Sequence, residues 1–123
     1  YRLRENQLEQ LTIDHTMIQY LLDKGSITAA EAERSNTKHI LSKAIGSKPE
    51  VEVEFSEFVL QSGDVLMLST DGAHDYLADA IIAGFLAQAK NGKDSTKALV
   101  EQALKQKSRD NLTIGIISVK DKN

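Results

Sequence analysis

The chain has 123 residues, a net charge of -3, 41% hydrophobic and 27% charged residues, the profile of one small globular domain. That balance argues against nucleic acid or an anionic membrane as partner. No apolar run approaches the roughly 20 residues of a bilayer span, and no signal peptide is visible. With no cysteine, disulfides and thiolate chemistry are excluded, a metal would need oxygen or imidazole ligands, and a cytoplasmic setting is expected.

Residues 1–12 read as two short strands around a tight turn at Glu5-Asn6. A helix follows in "IDHTMIQYLLDKG", with Met17, Ile18, Leu21 and Leu22 on one face, Asp14 as N-cap and Gly25 just past its end. Thr28 and Glu31 have capping-box spacing, so a short helix is expected from Ala29, and a second around Ile40 and Leu41. "EVEVEF" alternates strictly: Val51, Val53 and Phe55 on one side, Glu50, Glu52 and Glu54 on a solvated other side. It is expected to bend near Glu57 and pair through "QSGD" with the buried strand "DVLMLST" as a hairpin.

Leu77, Ile81, Ile82, Phe85, Leu86 and Ala89 then recur at helical spacing. "KNGKD" breaks that helix. Asp94 caps the next, with Leu99, Val100, Ala103 and Leu104 inward. "RDNLTIGIISV" closes the chain as a strand that packs Leu112, Ile114, Ile116 and Ile117. The order β-β-α-α-β-β-α-α-β predicts an α+β layered domain.

Two aspartates carry the chemistry. Asp71 follows one buried strand and Asp110 precedes another, so the carboxylates meet if those strands are neighbours. Paired carboxylates favour hard divalent ions such as magnesium or manganese, and Gly72 lets the backbone approach closely. The plain alternative is that "TDG" and "RDN" are only good turns. His74 is a ligand or acid, or else a surface or capping residue. Asp75 steadies the loop or the next helix. Arg109 binds phosphate or pairs locally with Asp110.

Four blocks in order resemble the C-terminal half of bacterial metal-dependent Ser/Thr protein phosphatases of the type-2C (PPM) family. They are "YRLRENQLEQLTIDHT", "LLDKGSITAAEAERSNTKHILSKAIG", "LQSGDVLMLSTDGAHDYL" and "ALVEQALKQKSRDNLTIGII". The resemblance implies part of an α-β-β-α sandwich, antiparallel sheets flanked by helix pairs, with the N-terminal half missing. Residues 1–123 would be the C-terminal portion of one phosphatase domain, with a flap-like insertion at about 22–46.

It further implies hydrolysis of phosphoserine and phosphothreonine in proteins at a binuclear manganese or magnesium centre. Asp71 and Asp110 match the family's metal ligands, and Gly72, Asp75 and Asn111 its supporting loop. The family's phosphate-gripping Arg, Glu-Asp pair and "D-G-M-G-G-H" stretch have no counterpart here. Ala73-His74 and Lys107 also depart from its usual residues. The expectation is half of a metal site, inactive alone, needing its missing half or self-association. Phosphorylated proteins are the implied substrates, with a Ser/Thr kinase as counterpart. The alternative is a non-catalytic phosphatase-like binding module in signalling.

Overall fold

The computed structural model describes residues 1–90 and 94–121. In chain order the elements are β1 (Arg2–Arg4), β2 (Gln7–Glu9), α1 (Met17–Asp23), α2 (Ala29–Arg34), β3 (Val65–Ser69), α3 (Asp71–His74), α4 (Asp79–Lys90), α5 (Thr96–Lys105) and β4 (Ile114–Ser118). They belong to two compact units. One joins residues 1–11 to those from 58 onward, and the other is residues 12–57.

The first unit is a four-stranded antiparallel sheet, β2-β1-β3-β4, with helices packed on it. This is the expected α+β class. The β1–β2 hairpin turns at Glu5 and Asn6, whose φ values of 49° and 65° give the twist a two-residue hairpin needs. Alternation along the strands sends Leu3, Val65 and Met67 into a core with Leu77, Ile82, Leu86, Ala89, Leu99 and Ala103. Burying one such side chain contributes about 2 kcal/mol. On β3 and β4, Leu68 and Ile117 instead remain more than half exposed.

Three expectations on this unit change. Residues 50–61, of which 50–57 belong to the second unit, form no strand, because β3 already has β1 on one edge and β4 on the other. No ladder position is left for the expected hairpin. Leu104 is 54% exposed, since Leu99 and Ala103 alone define the inner face of α5. The "STDGAHD" segment contains the single-turn helix α3, an element the expected order did not include. Asp94 does act at the start of α5, where its Oδ1 accepts from Thr96 N at 3.0 Å. The break between α4 and α5 lies at 91–93, outside the described residues.

Two departures from simple rules mark this unit. Lys107 takes the left-handed position that ends α5, with φ 66°. Ser108 N bonds Ala103 O and Lys107 N bonds Leu104 O, the closure glycine usually makes. Lysine there costs about 1 kcal/mol in backbone strain.

Asp64 is 1% exposed, just ahead of β3. Arg4 grips it with a fork, Nε to Oδ1 at 2.8 Å and Nη2 to Oδ2 at 2.6 Å, and Gln61 N donates to Oδ2. The hydrogen bonds from Arg4 outweigh desolvation and hold the carboxyl down at about 2. Its stabilising effect is therefore full above the unfolded carboxyl's pKa near ~4 and fades as pH falls toward the folded value. Asp64→Asn is expected to lose about 2 kcal/mol at pH 7. Urea denaturation should show the gap to the parent closing as the pH approaches 2.

In the second unit, α1 starts at Thr16 rather than Asp14. The Thr16 hydroxyl accepts from Gln19 N at 3.1 Å, three residues on, where Asp14 lies too early to serve. Gly25, φ 64°, closes α1, and the Thr28–Glu31 capping box opens α2 as expected. Ile40 and Leu41 are not helical. Leu41 bridges to Thr16, and Met17 N bonds Ile40 O. The glutamate stripe is not merely solvated: Glu54 Oε2 lies 2.5 Å from His15 Nε2, and Glu52 Oε2 3.4 Å from Lys43 Nζ.

Candidate metal centre

The site grows out of one end of the β3–β4 ladder. Register runs from Val65↔Ser118 to Ser69↔Ile114. One step beyond, Thr70 N donates to Thr113 O at 3.1 Å and Thr113 N donates to the Thr70 hydroxyl at 3.0 Å. These two bonds seal the strands just before the aspartates. They also occupy the Thr70 hydroxyl, so it makes no cap bond to α3. The two strands are thus direct neighbours, the condition for Asp71 and Asp110 to approach.

Gly72 brings the two turns into contact. A Cβ built on it would collide with the Asn111 carbonyl oxygen and stand 3.1 Å from Asp110 Cβ. The expected role of Gly72 was to leave room for a ligand. Its missing side chain makes room for the Asp110–Asn111 backbone. Ser108 adds a second clasp, its hydroxyl donating to Gly72 O at 2.6 Å.

Asp71 and Asp110 are both exposed. Each is steadied by the next residue: Gly72 N donates to Asp71 Oδ1 at 2.8 Å and Asn111 N to Asp110 Oδ1 at 2.7 Å. The second oxygen of each carboxylate meets no protein donor among the described residues. Two oriented hard-oxygen donors, each with an oxygen to give, fit a magnesium- or manganese-type ion, which one or two carboxylates commonly hold. They do not form a complete cage. Among the described residues no group of three or more His, Asp or Glu is placed to hold a metal.

The other candidates take distinct places. Asn111 touches Gly72 through its main chain. Asp75 caps α3, its N–H bonding Asp71 O at 3.0 Å. His74 is half-buried, with Nδ1 3.1 Å from the Ser69 hydroxyl, Nε2 3.7 Å from Asp75 Oδ1, and its ring tilted 55° against Tyr1. Arg109 is exposed and makes no ion pair with Asp110 among the described residues. Reading the sequence missed Thr70, Ser108 and Thr113 as the fasteners. Their signal was a hydroxyl residue close to each aspartate.

Comparison with known proteins converges on one family. No family model matches the chain. Protein phosphatase PhpP of Streptococcus pneumoniae is 31% identical over 121 residues, covering 98% of this chain and 49% of that protein. The S. agalactiae serine/threonine phosphatase superposes with a TM-score of 0.88 at 30% identity, over 97% of this chain and 49% of that one. The catalytic domain of serine/threonine protein phosphatase PstP, solved with two manganese ions, matches with a TM-score of 0.68 at 30% identity, over 98% of this chain and 49% of its own. No helix among the described residues is long and apolar enough to cross a membrane. Sequence and fold together make this chain a homologue of the bacterial serine/threonine phosphatases of the PPM family, about half of whose length it spans.

Proposed function

We propose that the chain supplies the C-terminal half of a metal-dependent phosphatase domain that hydrolyses phosphoserine and phosphothreonine in proteins. The observation that carries this is the joining of the Asp71 and Asp110 turns through Gly72 at the end of paired strands. Asp71 and Asp110 would hold divalent ions by their outward oxygens. When bound, such ions neutralise charge on the phosphoryl oxygens.

The chain's own part is preorganisation. The Thr70–Thr113 bonds fix the strand ends, Ser108 fixes the loop, and Gly72 N and Asn111 N fix the carboxylate rotamers. Asp75 supports the turn from behind. Manganese is the preferred candidate, given the two ions in the PstP structure. Residues 22–46 are proposed as a flap that influences substrate choice, supported by their place in a separate compact unit. The exposed Leu68 and Ile117 are proposed to be covered by the remaining half of a relative-sized domain. Phosphoproteins, with a Ser/Thr kinase as counterpart, complete the reading.

The test is phosphate release from a phosphothreonine peptide by the full-length protein. Turnover should require manganese or magnesium, stop with chelator and return when metal is restored. Release that ignores both chelator and metal would refute the proposal.

A further inference from the structure

Arg109 is an exposed cation with no ion-pair partner among the described residues, on a loop fixed against the carboxylate turns. The residue before it, Ser108, is clasped to Gly72 O at 2.6 Å, and the residue after it, Asp110, packs its Cβ against Gly72. Its backbone is therefore held at both neighbours. Asp110 is adjacent and the Asp71 turn touches the same loop, and Arg109 makes no bond to either carboxylate among the described residues.

The unit also holds a guanidinium that is committed to a carboxylate. Arg4 closes a two-pronged bond on Asp64 within the same unit, as a guanidinium directed at a carboxylate does. Arg109, with Asp110 next to it in the chain, makes no such bond among the described residues, so its charge is not spent on the aspartate pair. Lys105 and Lys107 are likewise exposed and have no carboxylate partner among the described residues. Three cations thus fall at alternate positions on one short stretch, in a chain whose net charge is -3. These cations stand in the stretch that leads into the Asp110 turn, so positive charge is offered beside the proposed metal ligands, where an anionic substrate group could meet it.

We propose that Arg109, with Lys107 beside it, recognises an anionic group flanking the phosphorylated residue of the substrate, so that phosphopeptides with neighbouring carboxylates or a second phosphate are preferred. The proposal rests on the phosphatase reading above. Guanidinium suits both anions, since its fork matches carboxylate and phosphate alike.

The experiment compares three phosphothreonine peptides that differ only in their flanks: two glutamates, one phosphoserine, or two alanines. Full-length protein with manganese is assayed beside Arg109→Gln and Arg109→Lys. Arg109→Gln should raise KM about tenfold for the anionic peptides, the loss of one charge-assisted contact, with kcat unchanged. The alanine-flanked peptide should move by less than about twofold. Arg109→Lys should recover part of the preference, and ~1 M salt should erase most of it. A loss with only one anionic peptide identifies which anion is read. An equal loss on all three peptides, or none, overturns the proposal.

Binding separates this inference from the phosphatase reading. Fluorescence polarisation uses a labelled glutamate-flanked peptide bearing a non-hydrolysable phosphonate. If the protein proves to have no turnover, tenfold weaker binding by Arg109→Gln sustains the inference while the phosphatase reading fails. Absent binding, or binding that ignores Arg109, overturns the inference.

Discussion

Replacing Asp71 or Asp110 by alanine in the full-length protein is expected to cut metal-dependent hydrolysis of a phosphothreonine peptide by about a thousandfold. The estimate follows from losing several kcal/mol of charge stabilisation at the phosphoryl group, with each 1.36 kcal/mol worth about tenfold in rate. The loss should fall on kcat as well as KM. Among the described residues neither exposed carboxylate bonds to anything beyond the N–H of its neighbour, so the fold should survive either change. Thermal denaturation within a few degrees of the parent would separate lost chemistry from lost structure. Near-normal turnover in both variants would remove the site assignment.

Gly72→Ala carries the second large effect, and its sign opposes ordinary helix propensity. Alanine in a helical turn normally stabilises by about 1 kcal/mol over glycine. Here the added carbon meets the main chain of Asn111, which cannot rotate aside as a side chain could. Either α3 unwinds or the Asp110 turn moves outward. Overpacking of this kind costs about 1–3 kcal/mol, and a displacement of about 1 Å at a reacting centre can cost a hundredfold in rate. Gly84→Ala in α4 is the control, because nothing lies within 4 Å of a carbon added there. It should raise stability slightly and leave turnover unchanged. A Gly72→Ala protein more stable than the parent and fully active would show that the two turns do not depend on this contact.

How far the sequence could be read depended on whether the determining contact was local. The Glu5-Asn6 hairpin, the Thr28–Glu31 capping box, the Gly25 closure and the inward placing of Leu99 and Ala103 on α5 are set within a few residues, and they form as expected. The "EVEVEF" stretch failed because alternation states which face a strand would bury but not which neighbour it would find. Both edges of β3 were taken by strands distant in sequence. Leu104 failed because a narrow inner stripe and a wide one look alike in sequence. At the site, Asp71 and Asp110 were visible as acids at strand ends. The clasp from Ser108 to Gly72 and the seal between Thr70 and Thr113 were not, since each spans roughly 40 residues and exists only once β3 lies beside β4.

The most direct measurement is manganese binding by the full-length protein, followed by electron paramagnetic resonance of the free ion, for the parent, Asp71→Asn and Asp110→Asn. Asparagine preserves size while removing the charged oxygen donor. The account predicts that each substitution weakens manganese binding at least tenfold without loss of fold. Equal manganese affinity in all three proteins would contradict it, and the joined turns would then be only a structural seam.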